Sequence, residues 1–389
     1  MRRSKVITVV GTRPEAIKMA PVIRELARRA DRFEQVVVST GQHREMLRPI
    51  FAAFDIMPDV DLDLMQPSHG LAEFASRSMA ALGALLDRLK PEAVLVQGDT
   101  TTVMAASIAA AYAKVRVGHV EAGLRSFDRL NPFPEEINRR VTSAVSDFHF
   151  APTERAKANL LREGIDPETV FVTGNTIVDA LGTFRPEGAY DDPRLAEIDL
   201  AGKRLVLLTA HRRENHGEPL RGVFEAVRRL LADFPDVVVI YPVHLNPNVA
   251  GPARSALDGL GRVHLIDPVS YYDLLRLLSR CHLVLTDSGG IQEEAPSFHK
   301  PVLILREVTE RPEVVEANAG KIVGTDPDRI VEEASRLLRS PAAYRAMSSA
   351  TNPFGDGTAA RRIADILARC LPGAAAGAGA ESPLLGAKL

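Results

Sequence analysis

The sequence predicts an α/β protein built from two doubly wound, parallel-sheet domains. Three observations carry that reading. Short β-branched runs alternate with stretches of helical spacing along nearly the whole chain. The runs are apolar at successive positions, as in strands covered by helices on both faces. The alternation breaks once, over Phe184 to Asp199, where Pro, Gly and Asp accumulate and periodicity fades. That interval reads as a linker between a first domain, 1–185, and a second, 200–371.

The first series opens with a strand at Val6–Val10. A turn at Gly11-Thr12-Arg13-Pro14-Glu15 follows, then a helix at Ile17–Arg29 with Ile17, Val22, Ile23 and Leu26 near one face. Strand Val36–Ser39 and helices His43–Phe54 and Leu71–Leu89 come next. Strand Ala93–Gln97 leads through Gly98-Asp99-Thr100 into an alanine-rich helix ending at Ala113. Strand Val117–Val120, helix Glu135–Val145, strand Phe148–Phe150, helix Thr153–Glu163 and strand Val170–Val172 close the series. In the second series the expected strands are Leu205–Leu208, Val237–Tyr241, Val263–Ile266, Leu283–Leu285 and Val302–Leu305. The expected helices are Leu220–Asp233, Tyr271–Ser279, and others from Ile291, Pro327 and Thr358. The last of these, about 358–370, is a candidate to pack back on the first domain. The tail 372–389 is low in complexity and reads as disordered.

Composition narrows the function classes. The chain has 389 residues, room for two ordinary domains. It is 25% charged with a net charge of −2, so nothing marks nucleic acid or an anionic membrane as its partner. Cys281 and Cys370 stand far apart without a CxxC spacing, which points to a reducing compartment and no structural zinc. The apolar run Val6–Val10 is too short for a signal peptide, and no run approaches a membrane span. A cytoplasmic protein is expected.

The stretch Leu283–Pro296, LVLTDSGGIQEEAP, carries the first chemical signal. A strand ends in a glycine turn before a helix, so several unpaired N–H groups converge where an anion would bind, and Ser288 adds a hydroxyl. Glu293 and Glu294 lie in the first helical turn, where a carboxylate would suit the two hydroxyls of a ribose. The alternative is an ordinary turn with a capping Ser. Arg13 and Lys18 stand after the first strand, where a guanidinium and an ammonium would clamp a diphosphate or form a solvated basic pair. Neither GxGxxG nor GxxxxGK[ST] occurs, which argues against NAD and P-loop chemistry. Asp99, Glu121 and Glu135 follow strands at one sheet edge, as general acids and bases would. Helix capping explains Asp99 equally well, and the helix dipole explains Glu135, which Glu136 follows. Glu121 closes an apolar strand, and its charge needs a reason there. His211, after strand Leu205–Leu208, would hold phosphate or move a proton. His211 and His216 do not form HExxH, so no metal site is indicated.

These segments carry a resemblance. GTRPEAIKMAP (Gly11–Pro21), QHREML (Gln42–Leu47), GDTTT (Gly98–Thr102), GHVEAGLRS (Gly118–Ser126), PFPEEINRR (Pro132–Arg140), TGNT (Thr173–Thr176), TAHRREN (Thr209–Asn215), TDSGGIQEEAP (Thr286–Pro296) and TERPE (Thr309–Glu313) closely resemble the non-hydrolysing UDP-N-acetylglucosamine 2-epimerases, in the family's order. The resemblance implies a GT-B fold, two Rossmann-like domains around an interdomain active-site cleft. It implies cofactor-free interconversion of UDP-N-acetylglucosamine and UDP-N-acetylmannosamine through an enzyme-bound 2-acetamidoglucal, supplying cell-surface polysaccharide synthesis. Arg13, Lys18, His211 and Ser288-Gly289-Gly290 match the family's nucleotide and diphosphate contacts, Glu294 its ribose-binding acid and Arg311 a further substrate contact. Asp99, Glu121 and Glu135 match its acids and bases, with His211 beside them. A homodimer is implied. Some bacterial members also bind a second UDP-N-acetylglucosamine as activator, and Gln42, His43, Gln66, Arg212, Glu214 and His244 lie in the segments concerned. The chain departs from some of these with Ser68-His69-Gly70 in place of an Arg before the helix at Leu71. Three alternatives stand beside this reading: a hydrolysing epimerase, a GT-B glycosyltransferase, and an inactive UDP-sugar-binding regulator.

Overall fold

The computed structural model describes residues 2–41, 44–65 and 70–371, with the side chains of residues 44–46 left aside. The chain divides into two compact units. Residues 2–182 with 354–371 form the first, and residues 183–353 the second.

Unit 1 is built on a seven-stranded sheet. Its strands are β1 (Ser4–Val10), β2 (Phe33–Ser39), β3 (Val60–Asp61), β4 (Ala93–Gln97), β5 (Arg116–Val120), β6 (Phe148–Ala151) and β7 (Val170–Val172). They lie in the order β3-β2-β1-β4-β5-β6-β7, and every neighbouring pair is parallel. Unit 2 repeats the winding with β8 (Arg204–Thr209), β9 (Val237–Pro242), β10 (Val263–Ile266), β11 (Leu283–Thr286), β12 (Val302–Ile304) and β13 (Gly320–Ile322). Their order is β10-β9-β8-β11-β12-β13, again all parallel. Continuous apolar strands make this possible. Ile7, Val9, Val94, Val96 and Val117 are fully buried against Leu82, Leu86, Val103 and Ala106 of the covering helices. In unit 2, Val206, Leu208, Val239, Leu283 and Leu285 pack in the same way against Val223, Val227, Ile330 and Leu337.

The winding decides where ligands go. In each sheet the strand order reverses at one point, between β1 and β4 and between β8 and β11. The loops leaving the carboxyl ends of those strands open a crevice there. Those loops are 11–12, 98–100, 210–212 and 287–288.

Three expectations need adjustment. The first helix starts at Arg13 rather than Ile17, with Pro14 in its first turn, where a missing N–H costs nothing. The helix after β11 starts at Gly289, so the glycine pair is its first two residues rather than a preceding loop. The interval 184–199 is not a free linker. Asp191 and Asp192 donate their amides to the buried Asp273 carboxylate at 2.8 and 2.9 Å, and Phe184 stacks on Tyr272. A short helix, Pro193–Ala196, forms there, with the Asp192 side chain capping the Arg194 amide and Pro193 in its first turn. Helix Ala359–Cys370 packs within unit 1, where Asp365 pairs with Arg29 at 2.6 Å and the Cys370 carbonyl accepts from Arg116 at 2.7 Å. The tail 372–389 lies outside the described residues.

Candidate active site

In unit 1 the first βα loop is tied down by an acid that the motif reading passed over. Glu15 accepts from the Gly11 amide and from the Thr12 hydroxyl, both at 2.8 Å. It is 1% exposed, and burial pushes its carboxyl up to about 7 against the lowering effect of these bonds, with Asp99 nearby adding to the rise. Thr12-x-x-Glu15 has the spacing of a capping box. That spacing was the signal that could have found it. A side chain at Gly11 would collide with the Thr102 and Thr40 hydroxyls, so the loop closes onto its neighbours with glycine there.

Glu121 is the most constrained acid of the unit. It follows β5 with φ of 66°, in the left-handed region that non-glycine residues seldom occupy. Its carboxylate accepts from Lys18 Nζ at 2.7 Å, from Gln97 Nε2, and from Asn175 Nδ2 at 3.4 Å. These donors come from the first helix, the end of β4 and the loop after β7. All three are buried beside it. Lys18, expected on a diphosphate, is thus bonded to the acid. Asp99 accepts from Arg139 at 2.6 Å, and its carbonyl accepts from Asn138. Its carboxylate therefore has an arginine partner rather than the role of a cap, which Thr100 fills for the next helix.

Glu135 and Glu136 open helix Glu135–Val145 and do opposite things. Glu136 is fully buried and accepts from the Ser126 amide at 3.0 Å, from Arg139 at 3.2 Å and from Arg140 at 3.4 Å. It anchors the loop after β5. Glu135 keeps Oε2 buried with no hydrogen bond to any described residue. A buried carboxylate oxygen without a partner is costly unless a ligand completes it. Nearby His119 gives its Nε2 proton to the Gly98 carbonyl at 2.8 Å, and burial drives its pKa down to about 3, so it stays neutral. The Arg13 side chain is exposed at the start of the first helix.

Unit 2 is organised by Asp287, which the motif reading also passed over. It is fully buried, and its Oδ2 accepts from the amides of His211 (2.8 Å) and Arg212 (2.9 Å) and from Asn215 Nδ2 (3.0 Å). His211 Nδ1 stands 3.4 Å from Oδ1. The signal was the one that singled out Glu121, a charge closing an apolar strand. His211 stacks on His244 with ring centroids 5.5 Å apart. Burial lowers the His211 pKa, Asp287 partly restores it, and His244, Arg212 and His216 push it down again. The ring is neutral at pH 7.

Beyond the strand, Gly289 makes room for Arg311. A Cβ there would meet the guanidinium at 2.8 Å. Arg311 donates to Glu293 and to Glu310, both at 2.8 Å. The space behind the first glycine is thus filled by arginine, while Gly290 is exposed with nothing closer than Ser288 Oγ at 3.9 Å. Ser288 is half-buried and Glu294 buried, one turn further along. The amides of Gly289, Gly290 and Ile291 precede the first internal bond of the helix, from Gln292 to the Ser288 carbonyl. Glu214 is engaged by Arg306 at 2.6 Å, and Arg212 uses its amide on Asp287. Gln42, His43 and Gln66 lie outside the described residues. Among the described residues no cluster of metal-ligand side chains occurs, and no helix is long and apolar enough to cross a membrane.

The geometry has close relatives. Residues 24–368 match the family model described as UDP-N-acetylglucosamine 2-epimerase. A UDP-N-acetylglucosamine 2-epimerase of Bacillus subtilis is 50% identical over 367 residues, covering 94% of this chain and 96% of its own length. A Listeria monocytogenes chain solved at 2.2 Å superposes with a TM-score of 0.89 at 48% identity, over 95% of this chain and 96% of that one. The UDP-GlcNAc 2-epimerase of Neisseria meningitidis, crystallised with UDP-GlcNAc, gives 0.85 at 45% identity over 93% and 99%. These matches span both units, and the expected GT-B class stands.

Proposed function

The chain belongs to the UDP-N-acetylglucosamine 2-epimerase family, whose members are isomerases, and from that premise we propose that it interconverts UDP-N-acetylglucosamine and UDP-N-acetylmannosamine without net hydrolysis. A carboxylate takes the C2 proton, the C–H electron pair becomes the C1–C2 double bond, and the C1–O pair leaves with UDP. Protonation of C2 on the other face and return of UDP to C1 complete the exchange. Electrons and atoms balance without a redox partner. The C2 proton is weakly acidic, so the departing diphosphate has to be stabilised as its bond breaks.

The observation that carries this reading is the contrast between two unit 1 carboxylates. Glu121 accepts from Lys18, Gln97 and Asn175, while Glu135 keeps a buried oxygen with no described partner. Two acids in such different settings suit two proton transfers. In this reading Glu121 and Glu135 serve C2, and Asp99 with Arg139 orders charge beside them. Arg13, His211, Ser288, Gly289, Gly290 and Arg311 take the diphosphate and Glu294 the ribose. Lys18 acts through Glu121. The Neisseria relative, crystallised with UDP-GlcNAc, supports the substrate. The free thiols Cys281 and Cys370 support a cytoplasmic setting, and the family resemblance a homodimer.

The test is incubation of the protein with UDP-N-acetylglucosamine alone, followed by proton NMR. UDP-N-acetylmannosamine should appear and settle into a fixed ratio with its epimer. Stoichiometric UDP with free N-acetylmannosamine would identify hydrolysis instead, and an unchanged substrate would refute the assignment.

A further inference from the structure

Asp287 divides its two oxygens between two tasks. Oδ2 collects three donors, the amides of His211 and Arg212 and the Asn215 side chain, and thereby fixes the loop after β8. Oδ1 is equally buried, accepts no hydrogen bond, and lies 3.4 Å from Nδ1 of His211. A fully buried carboxylate oxygen without a donor is unfavourable by itself. A small turn of the imidazole about χ2, a soft torsion, would supply the donor. Asn215 is locked in turn by the Leu305 carbonyl at 3.0 Å, and Thr209 bonds Thr286 across the two strands at 2.6 Å. The support beneath the ring is rigid, and the ring is its adjustable part.

We propose that Asp287 is a positioning residue for His211: its Oδ1 accepts the Nδ1 proton, holds the ring in the tautomer with a free Nε2 lone pair, and presents Nε2 to the ligand. This rests on the reading of His211 as a diphosphate contact. The nitrogen that carries the proton is set by the bond the other nitrogen makes. No other carboxylate among the described residues pairs with the ring. The groups around it are His244 stacked on one face, His216, whose Nε2 is 3.3 Å from the His211 carbonyl, and the Arg212 guanidinium, and all of these disfavour a charged imidazole. Asp287 alone opposes them. With it in place, Nε2 can take up a proton as negative charge develops on the diphosphate, and the imidazolium is stabilised from behind.

The experiment is nitrogen-15 NMR of the full chain labelled in histidine, with the His211 signals assigned by their loss in His211→Gln. The wild-type ring should show Nδ1–H and an unprotonated Nε2 at pH 8. In Asp287→Asn the amide oxygen can still accept from the loop while its NH₂ faces Nδ1, so the ring should switch to Nε2–H. Turnover should fall about 10²-fold or more, with KM changed far less. Asn215→Ala loosens the loop without touching the Oδ1 pair, so it should lower the melting temperature and leave the tautomer unchanged. A wild-type ring with Nε2–H, or an Asp287→Asn ring that keeps the wild-type tautomer, overturns the proposal. If Asp287→Asn does not fold, the wild-type spectrum decides alone. If the tautomer is as stated but His211→Gln keeps full turnover, the reading of His211 falls while the structural pairing stands.

Discussion

Asp99 and Asp287 occupy matching loops in two copies of one winding, two residues and one residue after the strand beside the reversal point, and they are used differently. Asp99 pairs with a side-chain cation, Arg139, and leaves the loop after β1 to Glu15. Asp287 holds the loop after β8 itself, through two amides and Asn215. The consequence spreads through each unit. Unit 1 sets carboxylates against ammonium, guanidinium and amide groups at the sheet edge, a setting for moving protons. Unit 2 draws its acids inward, against backbone amides and Arg311, and sets histidine and helix N–H groups at the edge, a setting for phosphate. The fold decides where chemistry happens, and side-chain pairing decides which chemistry.

The sharpest break in that comparison is at Glu135 and Glu136. Glu135→Gln should cut turnover by about 10²–10⁴-fold, the usual cost of losing a general acid or base. Its melting temperature should hardly move, because Oε2 gives up no described bond. Glu136→Gln should do the reverse, since three donors lose a charged acceptor. Steady-state kinetics beside calorimetry on both variants decides it. Equal effects from the two would erase the distinction.

Next in size is the Lys18–Glu121 pair. Lys18→Met strands a buried carboxylate, which should cost about 3–5 kcal/mol of unfolding free energy. The double variant Lys18→Met, Glu121→Gln removes both charges and should regain much of that stability while remaining inactive. A double variant with near-normal turnover would show that Glu121 is structural.

The smallest effect concerns pH and Glu15. Burial pushes its folded pKa up to about 7 from the ordinary 4.5. The fold favours the protonated form, so this contribution is complete below 4.5 and is lost as pH rises through 7. By the difference in pKa the loss is about 3 kcal/mol. Glu15→Gln should lack this pH dependence when unfolding is followed in denaturant between pH 4.5 and 7. A variant with the wild-type slope would assign the dependence elsewhere.

Much of this was legible in the sequence. Apolar strands and glycine turns gave both sheets and the loops at their edges, because burial on two faces leaves little choice of residue. What escaped has physical reasons. β3 and β13 are two and three residues long, too short to show a period. Helix Pro247–Leu257 carries Pro247, Gly251 and Pro252, which blur its helical signal, and it forms because Asn246 caps it and Val249, Ala253 and Leu257 are buried. The bond from Lys18 to Glu121 spans 103 residues, which no local motif displays. Glu135 and Glu136 are chemically identical in the sequence, and only the fold brings three donors to one and leaves a buried oxygen of the other without any described partner. Asp287 was visible as a letter, but its work is done on the backbone of another loop, more than 70 residues away in sequence.

The central claim is that unit 1 carboxylates move the C2 proton while the diphosphate leaves and returns. Reaction in deuterium oxide with UDP-N-acetylglucosamine, followed by mass spectrometry and NMR of the recovered nucleotide sugars, tests it directly. Deuterium should enter C2 of the product with every epimerisation, with no accumulation of free N-acetylmannosamine, and Glu135→Gln should suppress the labelling together with turnover. Epimerised product with hydrogen retained at C2 would contradict the account.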